Sequence, residues 1–524
     1  MTETRPAVAR PAAGIDRWLA DWRLAVGLFA AAVAVIGLRF AGAAADDIYI
    51  TYRYAANFAA GRGLIFNPGE RVFGLSDPGA AVLLGGIHRL LAIPIPVAGT
   101  ALTAAALLAI ALQLWSALKT AGRAAEGLLA GVLVASSPYL WLGQGAGPLP
   151  SLALILLASR TIARRPALAG ALAGAAVACR PDALLAAGAL GLISLRRNRA
   201  AAPSRFFAAL ALALGVVASA LWWAFGTLLP NTLAAKRLFA GQAPASFRDL
   251  AFWRAAFDLG RQLYGPLWWA LLAGSAGGLV LLCRARAREL LLLGVSALLL
   301  ASLYTLAGVP FFAWYMSYPL VAVLAGAALA FGNGLRFLLA APGPRRLGCL
   351  RRRLGLVAGA AALLGTVVLG WTTARWFAQE PSDWRLRAYR WAGSWIRAHS
   401  APADWIAYDE VGILGYYSER PILDLVGLVS PSSLPYTAAG DLLGAFLQHP
   451  TRFVVQHTYD QRGGTRPITF RPWFALAYRE VARWSDAAQP GGMLIYERVE
   501  PRAIPPPRPP VLRTPRARAP VRDG

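Results

Sequence analysis

The chain has 524 residues, 57% of them hydrophobic, with a mean hydropathy of +0.49 and a formal net charge of +26. That is too apolar for an ordinary soluble protein and implies a polytopic membrane protein. The charge is almost wholly arginine, clustered between apolar runs as topology anchors are, which argues against a nucleic-acid surface; the three cysteines (Cys179, Cys283, Cys349) form no Cys-x-x-Cys pair and indicate neither a disulfide framework nor a zinc site.

Residues 1–23 carry Arg5, Arg10, Arg17 and Arg23 ahead of a long apolar run. No small-residue cleavage site follows at signal-peptide spacing, so 24–41 reads as a retained first helix behind a cytoplasmic tail. Further apolar runs fall at about 96–118, 126–143, 148–163, 166–179, 183–195, 206–229, 265–283, 289–307, 314–334 and 354–372, giving about eleven transmembrane helices. The fourth to sixth are short enough to be tilted, broken or partly re-entrant.

Lys119/Arg123, Arg164/Arg165, Arg196/Arg197/Arg199, Arg284/Arg286/Arg288 and Arg345 through Arg353 all belong on the cytoplasmic side. Residues 79–93 are also apolar, but a span there would flip every later basic cluster outward. They read better as an interfacial helix, with His88 and Arg89 facing headgroups. The region after 372 then lies outside. So do Asp46-Asp47, the Gly-rich turn 143–148, Arg180-Pro181-Asp182, the segment 228–236 and the segment 308–315. Convergence of these polar features on one face suggests one site.

The expected domains are a tail (1–23), a transmembrane domain (24–372) with an extracytoplasmic first loop (42–95), an extracytoplasmic α/β domain (373–500) and a disordered Pro/Arg-rich tail (501–524). In the α/β domain, 383–399 has helical periodicity, and 404–409, 421–425, 452–456 and 491–498 read as strands.

Asp46 and Asp47 are the leading candidates for chemistry. Asp47 is placed to cap a helix over 48–60 that stops at Gly61 and Gly63. A helix N-terminus stabilises carboxylate charge, so at least one Asp stays ionised, as base or metal ligand. Arg180 suits a phosphate gripped by paired hydrogen bonds, or else closes a turn with Asp182. Lys236 is one of only two lysines, with Lys119, and suits a phosphate as a compact point charge or is simply a surface lysine. Trp314 and Tyr315, like the Tyr49, Tyr52 and Tyr54 cluster, suit either a substrate face or an interfacial anchor. Asp409 and Asp424 read as turn or strand-end residues, and His399, His449 and His457 as surface residues without metal-ligand spacing.

The motifs DDIYITYRY (46–54), NPGERV (67–72), CRPD (179–182), LPNTLAAK (229–236), GVPFFAWY (308–315), GYYS (415–418) and DLVGL (424–428) stand in order along residues 24–456. With this topology the chain resembles the GT-C class of membrane glycosyltransferases, which includes protein O-mannosyltransferases, lipid A aminoarabinose transferases and arabinofuranosyltransferases. The resemblance implies an inverting hexosyl- or pentosyltransferase using a polyprenyl-phosphate-linked sugar, with a cell-envelope acceptor and a site on the outer face of the bacterial cytoplasmic membrane. It carries the catalytic role to Asp46 and Asp47 and the donor phosphate to Arg180 and Lys236. Tyr49, Arg53, Asp182, Asn231, Trp314 and Tyr315 become substrate-binding candidates. A divalent cation, Mg or Ca, is left open, with a metal-independent reaction favoured. Two departures stand out: the family's loop Glu is replaced within Gly145-Ala146-Gly147-Pro148, at Gly147, and its His is Ala313. Alternatives are a non-catalytic relative that binds lipid-linked sugar, and a transporter or flippase. The transporter predicts charged spans and an inverted repeat, which the sequence lacks.

Overall fold

The computed structural model describes residues 19–40, 44–197, 202–240, 250–284, 288–340, 384–458, 465–486 and 491–510. The expected span 354–372, the basic cluster 345–353 and most of both tails lie outside the described residues.

Helices, most of them apolar, form the first part: α1 (Trp22–Phe40), α2 (Asp46–Ala59), α3 (Pro78–Leu91), α4 (Ile95–Thr120), α5 (Ala124–Ala135), α6 (Pro148–Thr161), α7 (Pro166–Cys179) and α8 (Leu184–Arg197). They continue with α9 (Ala202–Phe225), α10 (Asn231–Ala240), α11 (Ala251–Tyr264), α12 (Leu267–Arg284), α13 (Arg288–Ala307) and α14 (Ser317–Ala340). Proline opens α3, α6 and α7, where its missing N–H costs nothing. Among the described residues five helices are long and apolar enough to cross a membrane, beginning at Trp22, Ile95, Pro203, Arg288 and Ala313; α3 and α5 to α8 are apolar but shorter. The expected count of eleven therefore does not follow from helix length. The run 126–143 divides: α5 stops at Ala135, and Ser137 accepts from the Leu140 amide (3.3 Å) to start a separate turn at Pro138. Small residues let helices touch. A Cβ on Gly278 of α12 would run into the backbone of Gly326 on α14.

The short amphipathic α3 lies against α2, with Val82, Leu83, Leu90 and Leu91 exposed. His88 is tied to the Ile93 carbonyl (2.8 Å).

The second part holds α15 (Trp384–His399), β1 (Ile406–Tyr408), α16 (Gly412–Ser418), β2 (Ile422–Asp424), β3 (Phe453–His457), β4 (Tyr478–Ser485) and β5 (Gly492–Arg498). The sheet order is β2-β1-β3-β5-β4. β1 pairs parallel with β2 and β3; β5 pairs antiparallel with β3 and β4. Four strands match expected segments. The edge strand β4 was not expected, because YREVARWS carries three charged groups and has one buried residue. The sheet interior is apolar, but His457 is also buried there against the Tyr408 hydroxyl (3.0 Å), which corrects the surface assignment.

The two parts meet through α16, which packs on α2, and through side chains that bond to backbone. Asn67 (1% exposed) donates to the Ile422 carbonyl and accepts from the Ile422 amide, both at 2.9 Å. Asn67→Ala should strand both groups and cost about 1–3 kcal/mol. A lowered melting temperature and faster proteolysis between 384 and 498 would be the readout; unchanged protection would mean that apolar contact alone holds the parts together.

Candidate active site

Helix α2 separates the two aspartates by the turn of a helix, about 100° per residue. Asp46, Tyr49 and Arg53 lie towards the sheet-containing part; Asp47, Ile50 and Thr51 line a cavity. The expected cap does not form. The helix begins at Asp46, its N-cap is Ala45, and no side chain caps it.

Asp46 instead reaches across the junction. Its two oxygens accept from the amides of Gly412 (2.9 Å) and Ile413 (2.7 Å) at the start of α16. Burial, then the Glu410 carboxylate, pushes its carboxyl up to about 8, against the pull of these two amides. Glu410 is itself held by the Tyr389 hydroxyl. Asp47 is also raised, by burial, with Lys236 opposing. Burial thus works against the charged form of both carboxylates, where the helix N-terminus would favour it.

The cavity is lined by Asp47, Thr51, Asp77, Arg180, Lys236 and Trp314, among others. Each of the five polar segments contributes: Asp47, Ala146, Arg180, Thr232 with Lys236, and Trp314. Arg180 is 6% exposed. Its Nε donates to Asp182 (3.2 Å), and its guanidinium lies 5.1 Å from the Tyr315 ring. Asp182 also accepts from the Tyr304 hydroxyl (2.6 Å). Asp182 thus orients Arg180 through one nitrogen only, which leaves the two terminal nitrogens for a ligand. Lys236 sits over Phe312 (4.8 Å) and Tyr315 (5.7 Å), with its Nζ 3.4 Å from the Tyr315 hydroxyl. Tyr315 therefore spaces the two cations. Trp314 stacks on Phe312 at 4.7 Å and faces the cavity.

Other expected residues lie elsewhere. Tyr49 is buried in an aromatic cluster, edge-on to Tyr52 and Tyr416 and tilted against Tyr417. Arg53 is buried with its Nε donating to the Phe66 carbonyl (3.3 Å). Asn231 donates to the carbonyls of Gly427 (2.6 Å) and Leu428 (2.9 Å). Gly427 has φ +95°, a left-handed conformation that suits glycine. Asp424 accepts from Val426 and Val429 amides, as a strand-end residue does.

Asp77 was missed. It is 4% exposed, accepts from Thr51 Oγ1 (2.6 Å) and the Gly147 amide (3.0 Å), and lines the cavity. In the sequence it is an Asp before a helix-opening Pro and looks like a cap, yet its side chain makes no cap bond. Asp46 and Asp47 do not converge on one cation: Asp46 accepts from the Gly412 and Ile413 amides, while Asp47 lines the cavity. Among the described residues no three His, Cys, Asp or Glu side chains form a metal-holding group.

The raised Asp46 carboxyl has a stability consequence. Its unfolded value is about 4. Between that and about 8 the folded chain binds a proton the unfolded chain lacks, so stability falls as pH rises through the window. Melting temperature in detergent should drop from pH 5 to 9, and Glu410→Gln should flatten the slope. An unchanged slope in the variant would refute the Asp46–Glu410 coupling.

Residues 380–499 match a family model described as a domain of unknown function (DUF8728). No curated protein matches the chain. Two solved structures share its fold: ArnT from Cupriavidus metallidurans in the apo state and ArnT from the same organism bound to undecaprenyl phosphate. Each has a TM-score of 0.53, at 15% and 14% identity, over 92% of this chain and 99% of that one. The chain is thus a multi-pass membrane protein with an ArnT-like fold.

Proposed function

We propose that the protein is an inverting glycosyltransferase that moves a sugar from a polyprenyl-phosphate donor to an extracytoplasmic acceptor. The observation that carries this reading is one cavity holding an aspartate, Asp47, opposite two cations, Arg180 and Lys236. The undecaprenyl phosphate bound to an ArnT of this fold supports a prenyl-phosphate ligand.

In this reading Arg180's terminal nitrogens and Lys236 hold the donor phosphate. Asp47 takes the proton of the acceptor hydroxyl as its oxygen attacks the anomeric carbon. The bond from that carbon to the phosphate oxygen breaks, and the electron pair leaves with the lipid monophosphate, whose added charge the cations stabilise. Asp46 is a positioning residue, because both its oxygens are engaged by α16.

Charge segregation supports the orientation. Helix α6 runs from the cavity end at Ala146 to Arg164 and Arg165, and α7 returns from there to Arg180. Helix α13 starts at Arg288, which bonds the Ser159 carbonyl (3.3 Å), and brings Tyr304 to Asp182. The basic ends therefore lie away from the cavity, which the positive-inside rule assigns to the cytoplasm. In this reading the cavity opens on the outer face of the bacterial cytoplasmic membrane.

The test is transfer from radiolabelled undecaprenyl-phosphate sugars to a membrane extract by the reconstituted protein. Asp47→Asn should lower transfer about a hundredfold or more with melting unchanged. Asp46→Asn should chiefly lower melting temperature. Wild-type rates should fall with acid at a pH above the usual carboxylate range, and Lys236→Met should move that limb higher, because the cation lowers Asp47. Full transfer by a well-expressed Asp47→Asn protein would end the mechanism.

A further inference from the structure

The loop before α3 supplies a carboxylate that the proposed transfer does not use. Asp77 comes from the segment Ser76-Asp77-Pro78, yet it points away from its own helix and into the cavity. One oxygen accepts from Thr51 of α2, the other from the Gly147 amide at the start of α6. These two bonds fix the plane of the group. An ionised carboxylate has about four acceptor positions, so about two remain for a ligand. Burial raises this carboxyl, against the pull of the Thr51 hydroxyl, Arg180, the Gly147 amide and Lys236; among the described residues neither cation forms an ion pair with it within 4 Å.

Gly147 makes this placement possible. A Cβ there would run into the Cys179 carbonyl and lie 2.9 Å from the Asp77 Cβ. The space that any side chain at 147 would enter is thus bounded by Asp77. Position 147 is where the resemblance expects a glutamate. The cavity consequently keeps a carboxylate beside this loop, delivered from a different segment.

We propose that Asp77 is the residue that reads the donor's sugar, accepting a hydrogen bond from a sugar hydroxyl or amino group while Arg180 and Lys236 hold the phosphate. The proposal rests on the transferase reading given above. An acceptor-only group beside the cations suits the sugar end of the donor and opposes the phosphate end. Asn at 77 keeps the size and both present partners: its oxygen accepts from Gly147, and its NH₂ donates to the Thr51 hydroxyl.

The experiment compares equilibrium binding of undecaprenyl phosphate alone with that of undecaprenyl phosphate bearing a hexose, a pentose or an amino sugar. The proteins are wild type, Asp77→Asn, Thr51→Val and Arg180→Met, all full length in detergent. Wild type should bind at least one sugar-bearing lipid more tightly than the bare phosphate. Asp77→Asn should weaken that lipid about tenfold or more, yet bind the bare phosphate equally or more tightly, because a negative charge near the phosphate has gone. Thr51→Val should change the same ratio to a smaller extent. Arg180→Met should weaken both lipids alike. Equal changes for both lipids in Asp77→Asn would overturn the sugar contact, as would a wild type that prefers no sugar-bearing lipid. If Arg180→Met leaves the bare phosphate unaffected, the phosphate site of the transferase reading fails, whatever Asp77 does.

Discussion

The structure depends on a small set of bonds from side chains of the helical part to backbone of the sheet-containing part. Asp46 holds the amides of residues 412 and 413, Asn67 holds both backbone groups of 422, and Asn231 holds the carbonyls of 427 and 428. Backbone groups at such a junction are costly to leave unpaired, and a short polar side chain is the compact way to satisfy them. The cavity wall inherits its shape from this junction, because Leu428 lies both at the Asn231 clip and on the cavity.

Adjacent residues on one helix thereby carry different duties. Asp46 is spent on docking and Asp47 is left facing the cations. Within the cavity the charges are arranged with partners on one side only. Asp182, backed by Tyr304, holds Arg180 from behind, and Tyr315 lies beneath both Arg180 and Lys236. Aromatic faces stabilise cations without neutralising them, so the positive field remains available to an anion.

Much of this was legible in the sequence. Composition and arginine clusters reported a polytopic membrane protein, and the ordered motifs pointed to the fold that the ArnT structures share. The five polar segments that topology put on one face each line the cavity, since alternate helix ends must gather on the same side. Individual roles were less legible. Asn231 and Asp46 look chemical because polar residues in short motifs look alike whether they bind a ligand or another segment's backbone. Asp77 was hidden because Asp before Pro at a helix start ordinarily signals a cap. β4 was hidden because an exposed edge strand lacks an apolar period. The break at Ser137-Pro138 lay inside a run that hydropathy alone reads as continuous.

The docking bonds have a consequence for how such a protein can be altered or inherited. The residues that receive the sheet-containing part are scattered through the first half of the chain, and each is matched to backbone geometry in a short stretch of the second. A transplanted sheet-containing part would find its sockets only if positions 46, 67 and 231 travelled with it. One peptide bond separates the Asp46 socket from Asp47, so any mismatch at that joint is transmitted to the cavity-facing Asp47 carboxylate as a displacement. The two halves are in this sense geared together, and a change that loosens one retunes the other.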